Sequence, residues 1–270
     1  MLAFAKGIIK RTFNAAGLEI HKLQPGNSRA TMSGCLSQLS RLGLKPRTVI
    51  DVGVAYLTPD LYQEFREANI LLIEPLAEFE PFLRKICATH KAQYVLAAAG
   101  ETAGTAVLNV HPDKIGSSLL KEVEGASVDG VPRQVPVVTV DDVCSEKNLD
   151  GPYVIKVDVQ GAELQVLNGA TRTLQETEAV ILEVSLFGTL IGGPQLYDVV
   201  SRMKELGFVV YDIYGFLYRP FDNALIQVDL VFVREDGLFR QSHVFATTEQ
   251  RKVQFQTAEK EFNELAKKQH

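Results

Sequence analysis

The residues with the clearest chemical use stand at the ends of short apolar runs. In Ile155-Lys156-Val157-Asp158-Val159-Gln160-Gly161-Ala162-Glu163 a lysine and an aspartate interrupt an otherwise apolar stretch. Strand alternation puts Lys156 and Asp158 on one face, and burying either without a partner is costly. That cost points either to a structural ion pair at a sheet edge or to a carboxylate held ready for chemistry. Gly161 then opens a helix whose first turn contains Glu163, a position that the helix dipole favours for an acid in any case. Upstream, Asp51-Val52-Gly53 closes another apolar run and leads through Val54-Ala55-Tyr56-Leu57 into a helix. A glycine directly after a strand allows a sharp turn and close approach of a ligand. Neither the phosphate-binding G-x-x-x-x-G-K-S/T pattern nor the dinucleotide G-x-G-x-x-G pattern is present, so a nucleoside without phosphates fits better than a nucleotide. Glu74-Pro75 ends the second run, near the roughly 20-residue offset at which an acid meets a ribose in such folds. On these residues alone, a common tight turn and an exposed strand-end glutamate are the plain alternatives.

The elements that must position these groups alternate along the chain. Strands are expected at Thr48–Val52, Ile70–Glu74, Tyr94–Ala98, Tyr153–Asp158, Ala179–Val184, Phe208–Ile213 and Ile226–Val233, with helices near 59–68, through about Cys87, at 161–176 and at 194–206. Two further strands, Thr105–Val110 and Val135–Val140, flank a loop-rich excursion. Strand–helix alternation predicts right-handed crossovers and a mostly parallel sheet covered on both faces. The turn between Tyr218 and Ile226 is too short for a helical crossover, so the last strand should run antiparallel. In an open α/β sheet of this kind, ligands bind beyond the carboxyl ends of the strands, where Asp51, Glu74 and Asp158 fall.

Three divisions are expected: a helical extension over residues 1–45, an α/β domain over 46–240 and a helical tail over 241–270. Residues 2–22 read as an amphipathic helix that either caps the domain or makes a weak membrane-surface contact. Phe255, Ala258, Phe262 and Leu265 form the apolar stripe of the tail, which would pack on the body or on a second subunit in a homodimer. The net charge of −5 and the absence of a basic run weigh against a nucleic-acid partner. Cys35, Cys87 and Cys144 lie far apart with no zinc-ligand spacing, and no apolar run is long enough to span a bilayer. These features predict a cytoplasmic protein, or one peripheral to the inner face of the membrane.

The run from Lys156 to Ala170 resembles the signature of the FkbM-type methyltransferases, I-K-(I/V)-D-(V/T)-(E/Q)-G-x-E-x-x-V-L-x-G-A. Flanking pieces keep the same order: Val49–Gly53, Ile73–Pro75, Ala99–Glu101, Val180–Ser185 and Gln227–Asp229, so the resemblance spans roughly 47–235. It implies an α/β, Rossmann-like class I methyltransferase fold, with a mostly parallel seven-stranded sheet and an antiparallel last strand. It also implies S-adenosylmethionine as cofactor and methyl transfer to a hydroxyl of a sugar, glycan or other small-molecule natural product. Asp51, Gly53, Val54, Glu74, Pro75, Ala99 and Asp158 would then lie on the cofactor side. Such a transfer needs a base for the hydroxyl proton. Asp158 is the first candidate, although it could equally hold the amino group of the cofactor; Glu183 is second, His111 third, and Lys156 belongs with the catalytic set. Asp158 and Glu183 could instead share a divalent metal, which nothing in the sequence demands. Glu163, His111, Ser117, Ser118 and the Gly188–Pro194 loop would border the acceptor.

One residue departs from the pattern. The family's first motif runs D-x-G-x-x-x-G, and Leu57 stands at the second glycine, where a positive φ would be costly. Leu57 is the one support for a non-catalytic cofactor-binding protein of the same fold. A nicotinamide-dependent oxidoreductase would want the missing G-x-G-x-x-G turn, and a nucleic-acid methyltransferase the missing N-P-P-Y/F segment.

Overall fold

A computed structural model describes residues 29–267. Its centre is a seven-stranded sheet built from β1 (Thr48–Val52), β2 (Asn69–Ile73), β3 (Ala92–Val95), β7 (Tyr153–Val157), β8 (Thr177–Ser185), β9 (Phe208–Tyr218) and β10 (Leu225–Arg234), in the order β3-β2-β1-β7-β8-β10-β9. Every residue of β1 and β7 is buried, as both faces of a parallel sheet require. Ile50, Val52, Ile155 and Val157 enter the core on one face; Val49, Val154 and Ile181 enter the core on the other. All neighbouring pairs are parallel except those of β10, which inserts antiparallel between β8 and β9. The fold is thus the mostly parallel, Rossmann-like sheet expected, with the antiparallel last strand imposed by the short turn after Tyr218.

Two local readings change. The third strand stops at Val95, and Ala98–Ala99 (β4) leave it to join β5 (Gly104–Val110) and β6 (Val131–Val138) in a separate three-stranded sheet of order β4-β6-β5. The helix expected over 161–176 is broken into Glu163–Asn168 and Thr171–Gln175. Gly169 occupies the break, and a β-carbon there would lie 2.0 Å from the carbonyl oxygen of Gly100.

The helix Met32–Arg41 (α1) buries Cys35, Leu36 and Leu39 in the same core as Val49 and Ile181. The C-terminal helix Thr248–Ala266 buries no residue, and Phe255, Phe262 and Leu265 stay exposed. The amphipathic segment at 2–22 lies outside the described residues. No described helix is long and apolar enough to cross a membrane.

Candidate active site

The site is built on a row of charges crossing one face of the sheet. Asp51 on β1 and Lys156 on β7 are register partners. The Lys156 ammonium lies 3.6 Å from Asp51 Oδ1 and 3.2 Å from Asp158 Oδ2. The Tyr62 hydroxyl donates to the other oxygen of Asp51. Burial works against the lysine's charge, but the carboxylates of Asp158 and Asp51 outweigh it and raise its pKa, so Lys156 stays protonated. Asp51 is fully buried beneath this layer and holds the lysine rather than facing either cleft.

Beyond β7 the chain turns through two residues of positive φ, Gln160 at +53° and Gly161 at +94°. A left-handed glutamine persists only where its surroundings hold it, and here the Ser118 hydroxyl donates to its carbonyl at 2.6 Å. The turn aims the Gln160 side-chain amide at two carboxyls, donating to Asp158 Oδ1 at 3.1 Å and to Glu183 Oε2 at 2.6 Å. The two carboxyls diverge in proton affinity. Burial would raise Asp158, yet the charge of Lys156 and the hydrogen bonds of Glu183 and Gln160 hold it below the usual carboxylate range. Burial and then the Asp158 charge push Glu183 up to about 9. At neutral pH the pair therefore carries one negative charge, on Asp158.

Gln160 lines two clefts, one on each side. The first opens over the ends of β1, β2, β4 and β7. Its walls are apolar (Ile73, Leu76, Phe79, Leu108, Leu119), with Gly53, Pro75 and Ala99 at its floor and Glu74 and Asp158 as its acids. Glu74 accepts hydrogen bonds from the backbone amides of Ala55 at 3.0 Å and Leu76 at 2.9 Å, which fix its orientation. Each of its oxygens keeps accepting capacity for a ligand hydroxyl. Apolar walls for a base, an oriented carboxylate for a ribose and an ionised aspartate for a cationic end fit an amino-acid-bearing nucleoside. Val54 does not reach this cleft; it packs in the core with Leu61 and Tyr62. Leu57 keeps the glycine-like conformation of the motif, at φ +134°, rather than taking the loop elsewhere.

The second cleft is polar, lined by His111, Glu122, Glu163, Glu183, Ser185, Thr189 and Gln227 among others. Its rim is the excursion after β5 tied to the Gly188–Pro194 loop. The Val123 amide donates to the Thr189 carbonyl at 2.9 Å, and that of Ile191 to Lys121 at 2.7 Å. His111 is paired with Asp113 at 2.9 Å. Burial pushes Glu163 up to about 7, against the Gly161 amide that donates to it. Ser117 lines the first cleft instead of this one. Its hydroxyl accepts from the His111 amide and donates to the Lys114 carbonyl, so it fastens the rim. Among the described residues no group of three or more His, Cys, Asp or Glu side chains is placed to hold a metal ion.

Sequence reasoning brought Lys156, Asp158 and Glu183 to one place but gave no part to Gln160, which joins them, although it stands inside the quoted signature. Tyr62 had no signal, being one aromatic among others on an amphipathic helix.

The model of the methyltransferase FkbM domain matches residues 51–210. Structures similar to this chain include a magnesium protoporphyrin IX methyltransferase from Synechocystis with bound SAM (TM-score 0.42, 11% identity, 85% of this chain and 96% of that one). Another is a precorrin-6y C5,15-methyltransferase from Geobacter metallireducens (0.39, 11%, 77% and 92%). A third is a 1,6-didemethyltoxoflavin-N1-methyltransferase from Burkholderia thailandensis (0.40, 9%, 86% and 88%). No curated protein matches the chain. The family match covers more than half of the chain, including both strand ends that carry the buried charge row, and on it the chain belongs to the FkbM methyltransferase family.

Proposed function

We propose that this chain transfers a methyl group from S-adenosylmethionine to a hydroxyl oxygen of a small molecule, with sugars and glycans as the acceptor class. The observation that carries the reading is the Gln160 amide, which bonds an ionised carboxylate of one cleft to a protonated carboxyl of the other. S-adenosylmethionine, when bound, supplies an electrophilic methyl on a sulfonium. Glu74 would hold its ribose and Asp158 its cationic amino-acid end. Locked by Lys156 and facing the first cleft, Asp158 is the weaker base of the pair. Glu183 faces the polar cleft and, in the ionised form that gains population as pH rises toward about 9, is the group we assign to take the hydroxyl proton. A cleft rich in oxygen acceptors and amide donors supports a hydroxylated acceptor over an apolar one. The free thiols of Cys35, Cys87 and Cys144 support a reducing, cytoplasmic setting.

Calorimetry with S-adenosylhomocysteine tests the first half of this reading. No binding at millimolar ligand would remove the cofactor assignment. Binding without transfer of a labelled methyl group to any hydroxylated acceptor would favour a non-catalytic cofactor-binding protein. For the base, Glu183→Gln should abolish transfer while leaving S-adenosylhomocysteine affinity intact.

A further inference from the structure

The charge row continues past Glu183 to a carboxylate with no part in the chemistry so far. Asp229 on β10 is the direct register partner of Glu183 on β8 and of Tyr214 on β9. Residues opposed in this way share a sheet face, with β-carbons about 4.5–5.5 Å apart. Asp229 therefore extends the line Asp51, Lys156, Glu183 across the sheet, at the end away from the cofactor cleft.

Its seat is built into the backbone. Between the pairs Asp229–Tyr214 and Gln227–Leu217 the register shifts, so that β9 carries an extra residue. That is a bulge, a device that re-aims side chains near active sites. Gly215 sits in it at φ +66°, and a β-carbon there would lie 2.0 Å from Asp229 Oδ2. Any other residue at 215 would meet both a backbone penalty and the carboxylate itself. The Tyr214 hydroxyl beside it is buried with no hydrogen-bond partner among the described residues. A bulge, a left-handed glycine and an unpaired phenol are a costly way to keep a carboxylate that does nothing.

We propose that Asp229 is a positioning residue for methyl transfer: held behind Glu183 by the Gly215 bulge, its negative charge adds to that of Asp158 in strengthening Glu183 as a proton acceptor. The assignment rests on Glu183 being the base. The groups that face Glu183 are Asp158, Gln160 and Lys156 from the β7 side and Asp229 from β10, with Asp51 behind Lys156 and Tyr214 behind Asp229. Lys156 is the only cation of the row, and its ammonium is spent on Asp51 and Asp158. Lys156 offsets part of a charge on Asp229, and the remainder acts on Glu183 from the register position directly opposite it on β10. Burial and the Asp158 charge push Asp229 itself up to about 7, so it ionises before Glu183 does as pH rises. In the reaction, the acceptor hydroxyl proton would pass to the Glu183 carboxylate as the oxygen–methyl bond forms and the methyl–sulfur bond breaks, its electron pair leaving on the sulfur of S-adenosylhomocysteine.

The test is a carbon-detected NMR titration of side-chain carboxyls in the full chain. In the wild-type protein the Glu183 resonance should show its own midpoint near 9 and a smaller inflection where Asp229 ionises, near 7. In Asp229→Asn the inflection should vanish and the Glu183 midpoint should fall, while the larger part of its shift, from burial and Asp158, stays. Asp229→Glu should restore part of the shift. The rising limb of methyl transfer with pH should move with the midpoint, while S-adenosylhomocysteine affinity stays within about twofold of wild type. An unchanged Glu183 midpoint in Asp229→Asn overturns the proposal. So does a wild-type Glu183 titration without the Asp229-linked inflection, which needs no variant to fold. The NMR arm requires no turnover; if Glu183→Gln kept full activity, the base assignment would fail separately.

Discussion

Gly53 and Asp158 meet backbone to backbone, and a β-carbon at position 53 would stand 1.8 Å from the Asp158 carbonyl oxygen. The glycine also sits at φ +78°. The contact is the consequence of two parallel strands ending side by side, with the Asp158 amide donating to the Val52 carbonyl at 3.0 Å. Gly53→Ala must therefore part β1 from β7 where the lysine and both aspartates are held. We expect a loss of about 2–4 kcal/mol in urea unfolding, from overpacking and backbone strain together. S-adenosylhomocysteine binding should weaken with it. A variant as stable as wild type would show that the strand ends can separate freely.

Leu57 should invert a usual order. It holds φ +134° while its side chain packs against the core containing Leu61 and Tyr62. Leu57→Ala keeps the strain and loses the packing. Leu57→Gly loses the same packing but releases about 1–3 kcal/mol of strain. The glycine variant should thus be the more stable of the two by about 1 kcal/mol, the reverse of what a helix or strand interior would give. Equal or opposite stabilities in denaturant unfolding would mean that the loop relaxes around residue 57.

The strand ends were the legible part of this site. Lys156 and Asp158 could be placed on one face because alternation is a local rule, and their cost of burial forced the search for partners. Asp51 could be seen as chemically unusual in its strand, but not that it lies under the lysine. That fact depends on β1 and β7 being neighbours, which pairing across roughly a hundred residues decides. Val54 follows a glycine turn, which places it beside the cofactor in the family pattern, but its apolar side chain packs in the core, the commoner fate of a valine. Ser117 fell on the other side of Gln160 because a loop excursion has no periodicity to fix its course. Asp229 was visible only as part of a motif, since its meaning lies in a register slip between β9 and β10.

Lys156 is the residue on which the buried row depends for stability. Its pKa is raised, so its contribution is full below the unfolded lysine value of about 10.4 and is lost only above that. Asp158, lowered by the same pairing, contributes above about pH 3.9 and loses it as pH falls through its folded value. Both are in place at pH 7. Lys156→Met then leaves the buried Asp51 and the half-buried Asp158 without a cation, and for the buried member such a loss typically costs about 3–5 kcal/mol. Adding Asp51→Asn to it should recover part of the loss, because one uncompensated charge is removed. A single variant within error of wild type, or a double variant worse than the single, would contradict the pairing.

Three further acids near the site act with the opposite sign. Glu183, Glu163 and Asp229 are raised to about 9, 7 and 7, above unfolded values of about 4.3 and 3.9. Each binds its proton more tightly in the folded chain, so the slope of stability with pH is negative between the unfolded and folded values. Stability should decline from about pH 5 upward. From pH 7 to 9 Glu183 alone accounts for a fall on the order of 2 kcal/mol. Glu183→Gln removes that titration. Its unfolding free energy should be flatter over pH 7–9 and should exceed that of wild type at pH 9, even as methyl transfer is lost. A variant that gains stability where the wild type loses it would mark Glu183 as a group kept for chemistry against the interest of the fold. A variant with the wild-type slope would mean that Glu183 ionises as easily folded as unfolded, and the base would have to be sought elsewhere in the polar cleft.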